Sequence, residues 1–119
     1  MIQSLYAKKE QKEERNMRNH WTILEEMDPE LSKRVTEYRT FLVGQDELLA
    51  RKYRELINLS MAAIRLQPEV VLAHAKLASQ NGASKAEILG ACTQVLTMGG
   101  FPSFRCAMLS LDEFFQSIE

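Results

Sequence analysis

Prolines, glycines and net charge are scarce in this sequence. Three prolines and five glycines occur among 119 residues, and most of them stand where they would begin or end helices instead of breaking up strands. The sequence has fifteen Lys and Arg residues and sixteen Asp and Glu residues, which gives a net charge of −1. Because nucleic-acid-binding domains carry a basic surplus that displaces counterions from phosphates, we expect no nucleic-acid partner.

Cysteines and long apolar runs are also few. The two cysteines, Cys92 and Cys106, lie fourteen positions apart with no His beside them, which fits neither a redox CxxC nor a zinc pattern. No apolar run reaches membrane length, and the N-terminus lacks the pattern of a signal peptide. We therefore expect a reducing, cytoplasmic location, with no membrane partner, no metal and no cofactor.

The rest of the composition is that of a globular domain, with 45% hydrophobic and 26% charged residues. At this length we expect a single domain over residues 1–119. Charges of both signs interleave from Lys8 to Arg15, so residues 1–27 are expected to form a charged N-terminal helical extension. So short a chain buries only one modest core, which favours a site shared between subunits.

Apolar residues recur at helical spacing nearly throughout, and no strand pattern or internal repeat is present. The second helix should bury one apolar face, and the third, apolar almost all round beyond Glu55, should be central. The sequence predicts an all-α fold, a compact bundle of about six helices. Start and stop signals place the helices after the first at Asp28 to Gly44, near Asp46 to about Leu66, Pro68 to Asn81, Ser84 to Met98, and from about Pro102 onward.

His74 is the least ordinary candidate for chemistry, because it stands in the middle of the apolar fourth helix. Such a histidine is either a hydrogen-bonded core residue or a proton carrier. Gln67 and Val70 precede it by seven and four positions, so all three share one helical face if the helix extends back that far. The other histidine, His20, is interpreted as a solvated surface residue.

Glu55 enters the apolar part of the third helix in the same ambiguous way. A buried carboxylate must be paired or protonated, and an imidazole on the next helix is a suitable partner. The alternative is that Glu55 simply ends the solvated part of the helix. Measured from Gln67, Glu55 lies roughly 18 Å along one helix and His74 roughly 10 Å along the next, so contact needs an oblique crossing or a bridging water.

Basic residues cluster in the turn before Glu55. Arg51, Lys52 and Arg54 could receive a substrate carboxylate, or they could form a solvated helix start. Arg65 and Arg105 permit the same two interpretations with weaker support. Cys92 and Cys106 stand next to apolar residues, where free thiols usually act as small hydrophobes.

Four pieces between Leu48 and Phe104 resemble the carboxymuconolactone decarboxylase family, which also contains the alkylhydroperoxidase D-like proteins. They are LLARKYRELINLSMAA, the His of PEVVLAHAKLA, QNGASKAEIL and MGGFPSF, in the family's order and over about half of the chain. The resemblance implies an alkylhydroperoxidase D-like fold and a small-molecule substrate. It also implies a homo-oligomer, commonly a trimer or hexamer, with helices of adjacent subunits walling the pocket.

In the peroxidase-like branch, the resemblance implies a Glu on the third helix, a CxxC at the start of the fourth, and a His four residues after the second Cys. Glu55 and His74 match two of these positions, but Gln67 and Val70 stand at the cysteine positions. No thiol is therefore placed to attack a peroxide.

The decarboxylase branch also lacks the CxxC. The resemblance implies a second His in its fifth helix, where this sequence has Gln94. In this branch His74 would donate or accept the proton at the carbon that loses carbon dioxide, and Arg51 or Arg54 would hold a substrate carboxylate.

Three functions stay open. The first is a decarboxylase-like acid–base activity of Glu55 and His74 on a small carboxylated or lactone substrate. The second is a peroxiredoxin-like activity of the alkylhydroperoxidase type, disfavoured by the missing CxxC, and the third is a noncatalytic binding or assembly role. The residues expected to bind substrate in the first case are Arg51, Arg54, Gln67, Glu69 and Val70.

Overall fold

A computed structural model describes residues 19–119, which contain helices and no strand. The all-α prediction is confirmed. Residues 1–18, most of the helical extension predicted over residues 1–27, lie outside the described residues. No helix among the described residues is long and apolar enough to cross a membrane. The helices are α1 (His20–Met27), α2 (Pro29–Val43), α3 (Arg51–Ile64), α4 (Pro68–Gln80), α5 (Lys85–Ser110) and α6 (Asp112–Ser117).

The chain divides into two compact units between Gly44 and Gln45, and a single domain over residues 1–119 stays a prediction. In the described part of the first unit, α2 begins as its sequence predicts. Asp28 accepts a hydrogen bond from the Leu31 N–H at 3.0 Å, and Pro29 stands at the first helical position. Asp28 and Pro29 stop α1 and start α2, because Asp28 caps an N–H of the first turn and Pro29 has no N–H that would need an acceptor there.

The apolar stripe of α2 is exposed, contrary to the expectation that one face of this helix is buried. Leu31, Tyr38 and Phe41 are 47%, 65% and 65% exposed, and Ser32 is the buried residue of the helix. The eight-residue α1 buries no residue of its own.

The second unit, residues 45–119, buries a core in which α3 packs along both α4 and α5. Alanines of both α3 and α4 are buried in this core, and small side chains let two helices approach closely. Beyond this core, Ile57, Met61 and Ile64 on the outer face of α3 are about half exposed, so α3 is not enclosed all round. The main buried residues are Leu59, Ala62, Ala63, Val71, Ala75, Ala78, Ile88, Cys92, Val95, Ala107 and Leu111.

Helix α3 begins five residues later than predicted, at Arg51 instead of near Asp46. The Arg54 guanidinium explains the difference. Its Nε donates to the Leu49 carbonyl at 2.9 Å, and its terminal nitrogen donates to the Asp46 carboxylate. These bonds run back from the helix to the preceding segment and stabilise it as a turn.

Helices α3 and α4 end with the same hydrogen-bond pattern. After α3, the Gln67 N–H bonds to the Ala62 carbonyl and the Leu66 N–H to the Ala63 carbonyl, which is a Schellman motif with Leu66 in the left-handed region at φ 57°. After α4, Gly82 occupies the corresponding position at φ 97°. A residue with a Cβ, such as leucine, loses roughly 1–2 kcal/mol of conformational free energy in the left-handed region, whereas glycine does not. The α3–α4 turn is therefore strained and the α4–α5 turn is not.

Helix α5 starts with the predicted capping box. The Ser84 side chain accepts from the Glu87 N–H, and the Glu87 carboxylate accepts from the Ser84 N–H, both at 3.0 Å. The predicted interruption at Gly99–Gly100 is also confirmed, because Gly100 leaves the helical conformation at φ 82°. Pro102 follows, where it can begin a new helical segment.

Gly99 of α5 lies close against Ile64 at the end of α3. A Cβ built at Gly99 would lie 2.9 Å from both Ile64 Cγ1 and Ser103 Cβ. Substitution Gly99→Ala should therefore lower the free energy of unfolding by about 1–3 kcal/mol, as measured by chemical denaturation.

Gly90 provides the matched control in the same helix, since a Cβ there meets nothing within 4 Å. Substitution Gly90→Ala should raise the free energy of unfolding by about 0.5–1 kcal/mol through helix propensity. Equal effects of the two substitutions would contradict the close packing at Gly99.

Candidate functional site

Glu55 is the one carboxylate in the core of the second unit, with 6% of its surface exposed. Both carboxylate oxygens have partners. Oε1 accepts from Arg51 Nε at 3.3 Å, and Oε2 lies 2.6 Å from His74 Nδ1. Burying a carboxylate is costly unless it is paired and hydrogen-bonded, and these two contacts meet that condition. Glu55 thus joins a residue one turn earlier in α3 to a residue in the middle of α4.

The direct contact between Glu55 and His74 follows from where the two helices end. Measured from Gln67, Glu55 and His74 were expected to lie at different distances along their helices, roughly 18 Å and 10 Å. Helix α3 ends at Ile64 and α4 begins at Pro68, so the helical rises are about 13.5 Å and 9 Å. The difference of about 5 Å is within reach of the two side chains, and no bridging water is needed.

The Glu55 contact decides which nitrogen of His74 is available for chemistry. An ionised carboxylate only accepts hydrogen bonds, so Nδ1 carries the hydrogen that it donates to Glu55. In the neutral ring, Nε2 then has the free lone pair. The His74 side chain is 27% exposed, whereas that of Glu55 is 8% exposed. The pair can therefore exchange a proton with a bound molecule through His74 while Glu55 orients the ring.

Arg51 connects this pair to a groove of about 520 Å³ at the start of α3 and the end of α4. The cationic side chain of Lys52 in this groove is paired with Glu87 at 3.1 Å, and this hydrogen bond raises the pKa of Lys52. The pKa of Glu87 is lowered by the bond from the Ser84 backbone and by Lys52. The groove is lined by Asp46, Ala50, Arg51, Lys52, Tyr53, Asn81 and Gly82.

The other basic candidate, Arg54, points elsewhere, because its guanidinium binds Asp46 and the Leu49 carbonyl. The structure thus divides the basic cluster. Arg51 contacts the Glu55–His74 pair, Lys52 bonds to α5, and Arg54 stabilises the turn before α3. Sequence spacing alone did not separate these three roles.

Gln67, Glu69 and Val70 are exposed at the start of α4. Val70 lies one turn from His74, but the Arg51 groove lies on the other side of His74, towards Asn81. The distance from Gln67 to Asn81 along the helix is about 21 Å, more than a small molecule spans. The residues predicted to bind substrate therefore lie on both sides of His74, with Arg51 towards Asn81 and with Gln67, Glu69 and Val70 towards the α3–α4 turn.

The groove residues Tyr53, Asn81 and Gly82 were not identified from the sequence as site residues. Asn81 and Gly82 carry a clear signal, but it is the signal of a helix end. They join the groove because α4 ends beside the first turn of α3, and no local pattern reports that proximity.

Neither cysteine has the environment of a reactive thiol. Burial raises the pKa of the Cys92 thiol to about 11. The pKa of Cys106 is also raised, by burial and then by the negative charge of Glu69. Both thiols are therefore protonated at neutral pH, and the protonated form is a poor nucleophile.

Comparison with known protein families gives a match over most of the chain. The chain matches no curated protein and no solved structure with significance. Residues 29–113 match the model of the carboxymuconolactone decarboxylase family. This range covers more than half of the chain and includes Glu55 and His74. The chain therefore belongs to the carboxymuconolactone decarboxylase family.

Proposed function

We propose that this protein performs acid–base chemistry on a small carboxylated or lactone substrate, with His74 and Glu55 as its catalytic residues. The contact of 2.6 Å between Glu55 Oε2 and His74 Nδ1 carries the proposal. A buried carboxylate that orients an imidazole fixes its tautomer and stabilises the imidazolium when the ring takes up a proton. The partial exposure of His74 supports a role beyond that of a core contact.

In a decarboxylation, the bond to the departing carboxylate breaks and its electron pair stays on the substrate carbon. His74 Nε2, having taken up a proton, delivers it to that carbon, and carbon dioxide leaves. The negative charge of Glu55 stabilises the protonated ring before the transfer. His74 can also act as a general base, in which case the neutral ring accepts a proton from a substrate carbon or hydroxyl group.

Arg51 is the better of the two proposed carboxylate ligands. Its Nε contacts Glu55 and its side chain lines the groove, whereas Arg54 is bonded to Asp46 and Leu49. A carboxylate on Arg51 would lie one helical turn from the His74 contact. Val70, one turn before His74 in α4, would contact the other side of a small substrate, and Gln67 and Glu69 would be reached only by a longer one.

A peroxidase function is disfavoured by the residues of α4 and by the thiols. Gln67 and Val70 stand where the peroxidase-like branch has its cysteines. The raised pKa values of Cys92 and Cys106 leave no thiolate to attack a peroxide.

A homo-oligomer, a trimer or hexamer, belongs to the same proposal. Large apolar side chains are exposed on the second unit, among them Ile57, Met98, Phe101 and Leu109. Surplus apolar surface of this kind favours association between copies of a chain.

His74→Ala and Glu55→Gln should each lower turnover by about 10²–10⁴-fold, the range for losing a general acid–base group. The measurement is carbon dioxide release or ring opening across a panel of small lactones and oxo acids. His20→Ala is the matched control, because His20 lies outside the residues that match the family, and it should act like wild type. Unchanged turnover in His74→Ala would remove His74 from the mechanism, and binding without turnover in wild type would favour the noncatalytic role.

The thiols should be unreactive and should support no peroxide reduction. At pH 7 a thiol-specific reagent should modify partly exposed Cys106 before buried Cys92, and both rates should rise with pH because the raised pKa values leave little thiolate at neutrality. Mass spectrometry of the modified chain follows both sites. Dithiol-dependent peroxide turnover that disappears in Cys92→Ala or Cys106→Ala would contradict this prediction.

The mass in solution should be three or six times the 13.7 kDa of one chain. Light scattering coupled to gel filtration gives this value without assuming a shape. A mass of 13.7 kDa at micromolar concentration would overturn the proposed oligomer and would require the site to work within one chain.

A further inference from the structure

The Arg51 guanidinium is only partly used by the protein. Its Nε donates to Glu55 Oε1 at 3.3 Å, and within residues 19–119 its two terminal nitrogens have no hydrogen-bond partner. The side chain is 34% exposed, in contrast to the 8% of Glu55. An Arg can bind one carboxylate through Nε while its terminal nitrogens bind a second end-on.

The other charged groups of the groove are already paired. Lys52 is bonded to Glu87, and Asp46 is bonded to Arg54. Among the described residues that line the groove, Arg51 is therefore the cation whose terminal nitrogens have no carboxylate partner. The volume of about 520 Å³ leaves room for a small carboxylate in front of it.

We propose that Arg51 couples the occupancy of this groove to the Glu55–His74 pair. A carboxylate bound end-on offsets the positive charge that the guanidinium presents to Glu55. Glu55 Oε2 then becomes a stronger acceptor for the His74 Nδ1 hydrogen, and the ring becomes a better proton acceptor at Nε2. Substrate binding would thus activate the base. This inference rests on the proposed function, since the carboxylate is taken to be that of the substrate.

A second Arg–Glu pair at the same helical spacing serves as a matched comparison. Arg34 Nε donates to Glu30 Oε1 at 3.0 Å, also four residues apart, but the two side chains are 74% and 65% exposed. Solvent screens such a pair. Removing the charge of Arg34 therefore tests for general electrostatic effects without touching the groove.

The test is an NMR titration of the histidine rings in uniformly ¹⁵N-labelled protein, with sodium malonate as the small carboxylate. Sodium chloride at matched ionic strength is the reference. The sequence has two histidines, so a His20→Gln variant assigns the His74 signals. We expect the His74 Nδ1 proton signal to move downfield and to saturate with malonate.

The variants decide whether Arg51 carries the effect. In Arg51→Gln the half-saturating malonate concentration should rise at least about tenfold, the loss typical of a charge-assisted hydrogen bond. Arg34→Gln should respond like wild type. The coupling would be overturned if the His74 signal did not shift with malonate, or if Arg51→Gln and wild type had the same half-saturating malonate concentration.

The outcomes also separate this inference from the proposed function. If malonate does not affect His74 but turnover depends on His74, the coupling is wrong and the acid–base function stands. If malonate moves the His74 signal through Arg51 but no substrate turns over, the coupling stands as a property of a binding protein and the catalytic proposal fails.

Discussion

The buried charge of Glu55 is the constraint on which the second unit depends. A carboxylate that is 6% exposed must have partners for both oxygens, because water is not available to solvate them. Arg51 supplies one partner from the same helix, at a spacing that any α-helix provides. His74 supplies the other from α4, and this second contact forms only at one relative position of the two helices. Packing and chemistry therefore specify the same arrangement.

Local features of the chain hold α3 and α4 in that arrangement. Alanines at positions 62, 63, 75 and 78 are buried in the core and allow the helices to approach. The turn between them ends α3 with Leu66 in the left-handed region, a strained conformation that sets where α4 begins. Gly99 then lets α5 close against Ile64 at the end of α3. The site is thus supported by a tightly packed end of the helix pair.

Most helix boundaries could be predicted from the sequence because their signals are local. The Asp28–Pro29 start, the Ser84–Glu87 capping box, the Asn81–Gly82 stop and the break at Gly100 each involve residues within a few positions of one another. The start of α3 was predicted wrongly because it depends on Arg54 binding back to Asp46 and Leu49. The stripe of α2 was expected to be buried because its spacing is amphipathic, but amphipathic spacing does not supply the surface that covers it.

The sequence by itself determined the all-α class, most of the helix ends, and the family in which Glu55 and His74 are the residues to examine. It also placed Gln67 and Val70 where a peroxidase needs cysteines. Only the tertiary structure decided that Glu55 touches His74 directly and that Asn81 and Gly82 lie beside Arg51. The physical reason is separation along the chain. Helix caps and breaks arise from hydrogen bonds between near neighbours, whereas the site joins residues 19 positions apart, which meet only when the core packs.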